Sequence, residues 1–107
     1  MTLYEKRTYQ VPPGRMPEVV ALYRDLAWPA LEAGGFSLNL VGYFISDTGP
    51  LHQLIHIWRF DGDAGRRDFW ARLFADKDFM AFAAKVRPIL LSQEVQLMTS
   101  APWGPKP

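Results

Sequence analysis

The strongest candidate for chemistry is a histidine two residues before a tryptophan, His56 and Trp58. They lie in a run whose members alternate as Leu54, His56, Trp58 and Phe60 against Gln53, Ile55, Ile57 and Arg59. This period of two predicts a strand that carries the two sets on opposite faces. An imidazole facing a partly enclosed cavity can act as a general base or donate a hydrogen bond to a carbonyl. His56 is therefore the candidate catalytic residue, and the alternative is a structural histidine bonded to a carboxylate such as Glu5 or Glu94.

A second candidate group lies on the alternating run 2–11, which predicts the first strand. Glu5, Arg7 and Tyr9 share one face of that strand. Arg7 could bind a carboxylate of a small ligand while Glu5 orients His56, or the two charges could belong to an ion-pair network that fixes strand register. Tyr9, Tyr43 and Phe44 could provide the walls of an aromatic ligand site or be ordinary core and interface residues.

Six elements must position these side chains. After the first strand, the pattern predicts a helix from Pro17 to about Glu32, kinked or unwinding near Trp28 because Pro29 follows. Strands are predicted at 37–46 and 53–60, joined by a turn that contains Gly49 and Pro50. Two helical segments follow, one at about 64–74 capped by Asp63 and one through Val86 capped by Asp76 or Asp78, and the fourth strand spans 89–98.

The order βαββαβ is the split arrangement of ferredoxin-like α+β domains, with a four-stranded antiparallel sheet whose first and third strands are neighbours. Two helices cover only one face of such a sheet. We expect Ile55 and Ile57 to meet the helices and His56 and Trp58 to look the other way, into a cavity. The aromatic residues of the later helices are assigned to the core, and Arg66, Arg67 and Arg72 to a solvated helix face.

Composition narrows the function classes. The 107 residues predict one domain at 1–100 and an irregular proline-rich tail at 101–107, which Trp103 could hold to the surface. The absence of cysteine excludes disulfides and thiolate chemistry and favours a reducing, cytoplasmic setting. A net charge of +1 without a basic block argues against nucleic acid, and the apolar runs are too short to span a membrane.

Cofactors and metals have little support in the sequence. His52 and His56 lie about 13 Å apart along a strand, too far to share one ion, so no metal site is predicted. No motif indicates a cofactor, although haem on a lone His56 is left open.

Five blocks together resemble the NIPSNAP family over about residues 3–98. They are YEKRTYQVPPGR from Tyr4, VGYFISDTG from Val41, IHIW from Ile55, DKDFMAFAAKVRPIL from Asp76, and Ser92 with Glu94. Family members typically have Leu where Lys6 stands here, a position we expect to face the helices. The chain looks like the short stand-alone bacterial form of the family.

The resemblance implies a dimeric α/β barrel, in which two ferredoxin-like subunits join sheets around a shared interior. It also implies a homodimer that binds a small apolar or aromatic molecule there, with cofactor-free monooxygenase- or isomerase-like chemistry as one option. The proposed ligand-binding residues are Glu5, Arg7, Tyr9, Phe44, Trp58 and Glu94. The alternative is a non-enzymatic protein-interaction module whose sheet face is used up in dimerisation, so whether the protein is an enzyme is left open.

Overall fold

The computed structural model describes residues 1–107 and contains one four-stranded antiparallel sheet. The strands are β1 (Thr2–Gln10), β2 (Leu40–Ile45), β3 (Gln53–Asp61) and β4 (Ser92–Met98). Between β1 and β2 lie helix α1 (Met16–Leu22), a π-helical segment (Tyr23–Ala27), helix α2 (Trp28–Ala33) and a 3-10 turn (Phe36–Asn39). Helices α3 (Gly62–Ala75) and α4 (Lys77–Val86) connect β3 to β4.

The strand order is β2-β3-β1-β4, so β1 and β3 are the central neighbours. This confirms the predicted ferredoxin-like α+β arrangement. The register places Glu5 opposite Trp58, Arg7 opposite His56 and Tyr9 opposite Leu54. Side chains of directly opposed residues point to the same face of a sheet. The predicted candidate residues of β1 and β3 therefore do share one face.

That face is the one covered by the helices. His56, Trp58 and Phe60 are buried, whereas Ile55 and Ile57 are only half-buried on the open face. The prediction that the isoleucines meet the helices and His56 and Trp58 face away was wrong. Alternation shows which residues share a face, but it does not show which face the helices cover. The helices cover the face whose side chains bury more apolar area, and here that is the face with the aromatic residues.

The prediction that Lys6 faces the helices was wrong for the same reason. It lies between Glu5 and Arg7, which point towards the helices, and it pairs with Ile57, which places it on the open face and not against the helices. A lysine there can keep its ammonium group in water.

Two apolar clusters hold the helices on the sheet. The first contains Val11, Val19, Ala27, Leu54, Phe82, Ala83, Val86 and Ile89. The second contains Leu31, Phe36, Trp58, Phe60, Phe69, Trp70 and Leu73. His56 stands on β3 between Leu54 of the first cluster and Trp58 of the second. The junction between the clusters is therefore occupied by a polar ring.

Pro29 widens the helix instead of breaking it. A proline lacks an N–H and its ring collides with the carbonyl four residues earlier, here that of Asp25. The chain responds with the π-helical segment just before it, in which the Trp28 N–H donates to the Tyr23 carbonyl five residues back. The irregularity expected near Trp28 is thus present as one wide turn, after which the helical path continues to Ala33.

Several predicted boundaries were wrong. Residues 37–39 form a 3-10 turn and not a strand, because Gly35 adopts a left-handed φ of 75° and turns Phe36 into the core. Helix α3 begins at Gly62, and Asp63 lies in its first turn, not at its cap. The predicted cap at Asp76 is confirmed, since its Oδ1 accepts from the Phe79 N–H at 2.9 Å. Strand β4 begins at Ser92, three residues later than predicted.

The last residues, 101–107, contain no helix or strand. Tyr4 Oη donates to the backbone oxygen of Pro107 at 2.6 Å, so the last residue lies next to β1. Trp103 is exposed and does not serve as the expected anchor. No helix of the chain combines the length and the apolar character needed to cross a membrane.

Candidate functional site

A small cavity of about 50 Å³ lies between the sheet and the helices, at the junction of the two apolar clusters. Four of the seven predicted catalytic and ligand-binding residues are on its wall, namely Arg7, Tyr9, His56 and Trp58. The remaining walls come from the helices and from the neighbouring strands: Tyr23, Tyr43, Trp70, Phe74, Phe79, Phe82, Ala83, Val86, Arg87, Leu90 and Gln93. The site is therefore built within one subunit, beneath the helices, and not on the open face.

His56 is held in one protonation state by its neighbour. The Trp58 Nε1–H donates to His56 Nδ1 at 2.7 Å, and an indole nitrogen can only donate. Nδ1 must therefore be unprotonated, which leaves the proton of the neutral ring on Nε2. Burial, followed by the positive charge of Arg7, lowers the His56 pKa from 6.5 to about 3. At neutral pH this histidine is a hydrogen-bond donor and not a general base.

The donor group of His56 has no partner in the protein. Its Nε2 atom is buried and makes no hydrogen bond, and the same is true of Trp70 Nε1 on helix α3. A buried N–H without an acceptor costs roughly 1–3 kcal/mol, so native structures rarely contain one. Two such groups border the same cavity, which indicates a place where an acceptor oxygen can bind.

Trp70 was missed as a site residue by the sequence analysis, which assigned it to the core. Its burial beside Phe69 and Trp58 agrees with that assignment, but its N–H faces no acceptor. The one usable signal was that a buried tryptophan ordinarily needs a partner for this group.

Glu5 does not orient His56. It is fully buried and accepts from two arginines, with Arg7 Nη1 at 3.0 Å and Arg66 Nη1 at 2.8 Å. The structure therefore shows an ion-pair network, which was the alternative for this pair. Arg66 comes from helix α3 and is largely buried, so its assignment to a solvated helix face was wrong. The link ties α3 to the central strand.

Arg7 carries this network to the cavity wall. Its Nε donates to Tyr9 Oη at 3.0 Å, and its guanidinium carbon lies 4.4 Å from the centre of the Trp70 ring. Burial works against its charge, but the contacts with Tyr9 and Glu5 outweigh burial and raise the Arg7 pKa above its usual value. The site thus keeps a permanent cation beside the neutral His56.

Tyr23 and Tyr43 form the wall on the β2 side. Tyr43 stacks on His56 with ring centres 5.2 Å apart, and Tyr23 meets Tyr43 edge to face at 5.5 Å. Burial and the neighbouring tyrosines raise the pKa of both phenols, so both are neutral at physiological pH. Tyr43 was a predicted wall residue, whereas Tyr23 was assigned only to the apolar stripe of its helix.

Phe44 and Glu94 do not belong to this cavity. Phe44 is paired with Ile55 and is 50% exposed, and Glu94 is paired with Thr8, so both are on the open face. The prediction that they share a site with His56 does not hold. Gly42 makes room for the Phe44 ring, because a Cβ at that position would lie 3.0 Å from the ring.

No group of three or more metal-binding side chains is brought together in the structure. The cavity of about 50 Å³ also has no room for a porphyrin on His56. The residues present fit a small oxygen-bearing group better than a haem.

Comparison with known proteins identifies relatives of the whole chain. The model of the NIPSNAP family matches residues 4–105. A NIPSNAP family protein from Agrobacterium tumefaciens strain C58 has 27% identity and a TM-score of 0.89, covering 96% of this chain and 89% of that one. A second protein from the same strain, described as a NIPSNAP family protein with unknown function, has 32% identity and a TM-score of 0.88, covering 97% and 92%.

A more distant structure shares the fold alone. It comes from Caulobacter crescentus CB15 and is described as a candidate antibiotic biosynthesis monooxygenase, with 14% identity and a TM-score of 0.68 over 94% of this chain and 90% of that one. No curated protein matches the chain.

Proposed function

Because this chain belongs to the NIPSNAP family, we propose a function from its own cavity: it binds a small, largely apolar or aromatic molecule through an oxygen atom of that molecule. The observation that carries the proposal is the pair of unpartnered buried donors, His56 Nε2–H and Trp70 Nε1–H. Both residues line the same cavity, so an acceptor oxygen bound there would pair donors that the protein itself leaves without a partner. The aromatic walls would hold the apolar part.

The same donors favour one kind of chemistry over another. Hydrogen-bond donors and a nearby cation stabilise negative charge that develops on oxygen, as in an enolate or a phenolate. His56 cannot remove a proton at neutral pH while its Nδ1 accepts from Trp58. Any cofactor-free oxygenation or isomerisation would thus depend on polarising the bound oxygen, with the proton taken by another group or by water.

A binding experiment with two probes of nearly equal shape tests the proposal. Acetophenone carries a carbonyl oxygen, whereas ethylbenzene does not. Leaving two donors unpaired should make ethylbenzene bind at least tenfold more weakly, measured by calorimetry or by tryptophan fluorescence. The variant Trp70→Phe replaces the indole with a smaller aromatic ring that lacks the donor, and it should reduce this preference. Equal binding of the two probes, or no binding of either, would refute the proposal.

We propose in addition that the protein is a homodimer joined through the open sheet face. Half-buried Ile55 and Ile57 and the exposed ring of Phe44 form an apolar centre on that face. The ligand cavity lies on the other side of the sheet, so ligand binding and dimerisation do not compete for one surface.

A cytoplasmic location is also part of the proposal, since a chain without cysteine needs no oxidising compartment.

Light scattering on Phe44→Glu tests the dimer. A charge at the centre of an apolar interface should dissociate it, while acetophenone binding stays unchanged. A variant that remains dimeric, or an unmodified protein that is already monomeric at micromolar concentration, would contradict this arrangement.

A further inference from the structure

The cavity beside His56 is too small for an entire aromatic ligand. Its volume is about 50 Å³, whereas a cavity that admits benzene measures about 150 Å³. A larger space, a groove of about 260 Å³, begins on the other side of Tyr23 and Tyr43, and these two rings line both spaces. If the rings move apart, the two spaces together reach the roughly 300 Å³ at the lower end of small-molecule sites.

The groove is almost entirely apolar. Its lining consists of Val20, Tyr23, Trp28, Tyr43, Ile45 and Leu54, with Arg24 as the one charged residue. Arg24 is engaged by Asp25 at 2.7 Å, so it offers no free charge to a ligand. The groove therefore suits a hydrocarbon chain or ring.

The inner cavity has the opposite electrostatic character. Its lining includes Arg7 and Arg87 and no acidic residue. Arg87 forms no salt bridge. The network behind Arg7 contains three guanidinium groups and two carboxylates, those of Glu5 and Asp63, and so retains one positive charge. An anionic head group matches both this charge and the two unpaired donors.

The wall between the two spaces is held by ring packing and not by hydrogen bonds of its hydroxyl groups. Of the four tyrosines, Tyr4 and Tyr9 are hydrogen-bonded through their hydroxyls, whereas Tyr23 and Tyr43 are not, so rotating them breaks no such bond. Tyr23 is also the first residue of the π-helical segment, and such wide turns in helices occur frequently at functional sites.

We propose that the ligand is an amphiphilic carboxylate, with its head group in the inner cavity and its apolar body passing between Tyr23 and Tyr43 into the groove. This rests on the proposed function, because it assigns the oxygen-bearing group and the apolar part of the same ligand to separate spaces. Tyr23 and Tyr43 then determine which ligands enter.

Calorimetry with butanoate, octanoate and octyltrimethylammonium tests the two halves of the inference. Each fully buried methylene contributes about a fourfold gain in affinity, so octanoate should bind at least tenfold more tightly than butanoate. Octyltrimethylammonium has an alkyl tail of nearly the same length and a positive head, and it should not bind. Equal affinities for butanoate and octanoate would overturn the groove assignment, and binding of octyltrimethylammonium would overturn the anionic head group.

Surface variants test whether the apolar part of the ligand lies in the groove. Trp28 and Ile45 are 39% and 51% exposed, so Trp28→Ala and Ile45→Ser should fold normally. Each should weaken octanoate binding severalfold and leave butanoate binding unchanged. Leu38 is 81% exposed and outside the groove, which makes Leu38→Ser the matched control. Unchanged octanoate binding in both Trp28→Ala and Ile45→Ser would show that the apolar part of the ligand lies outside the groove, and it would refute the inference.

The two proposals fail separately. If acetophenone is preferred over ethylbenzene but the carboxylates show no dependence on chain length, only the inference about the groove is wrong. If acetophenone and ethylbenzene bind equally, or if neither binds, the proposed function itself is wrong.

Discussion

Acidification should destabilise this protein through one residue, His56. The buried ring has its pKa lowered from 6.5 to about 3, so the folded protein leaves it neutral at pH 5, whereas the unfolded chain protonates it. The unfolded state then binds more protons, and the free energy of unfolding falls as the pH falls. At about 1.36 kcal/mol per pH unit below the unfolded pKa, the loss between pH 7 and pH 5 is about 2 kcal/mol. The stability that depends on keeping His56 neutral is fully present above pH 6.5.

Urea denaturation monitored by tryptophan fluorescence at pH 7, 6 and 5 measures this loss. Thermal unfolding should show the same effect as a fall in Tm of about 8 °C, since 1 kcal/mol corresponds to roughly 4 °C in a domain of this size. The informative comparison is His56→Asn, whose side-chain oxygen can still accept from the Trp58 N–H but does not titrate. Its stability should depend on pH less than that of the unmodified protein, by about 2 kcal/mol over this range.

His52 provides the matched control. It has a positive φ of 60°, which asparagine tolerates well, so His52→Asn should fold and keep the pH dependence of the unmodified protein. If His56→Asn and the unmodified protein lost the same stability between pH 7 and pH 5, His56 would not be buried and neutral in the folded state. The assigned Nε2–H donor would then be wrong as well.

Two further substitutions test the structure around the site. Glu5→Gln should cost about 3–5 kcal/mol in urea denaturation, because it leaves Arg7 and Arg66 without their buried counter-charge. Asp63→Asn, at the exposed end of the same network, should change stability little, and similar losses for both would contradict the buried role of Glu5. Asp76→Ala should cost about 1 kcal/mol through loss of the α4 cap; an unchanged urea midpoint would show that this cap is dispensable.

The sequence alone was sufficient for the elements and their neighbours. Alternation identified β1 and β3, and the order of elements placed them side by side at the centre of the sheet. It also showed that Glu5, Arg7 and Tyr9 share a face with His56 and Trp58. These features follow from local periodicity and from the handedness of crossovers, which act the same way in any chain with this pattern.

The tertiary structure decided which face is covered and what each site residue contacts. A period of two is symmetric between the faces of a sheet, so only the packing of the helices could bury the aromatic set and leave Phe44 and Glu94 on the other side. The contact between Glu5 and Arg66 joins residues 61 positions apart, and no local pattern encodes it. The protonation of His56 and the unpaired Trp70 N–H likewise depend on neighbours that only the folded chain brings together.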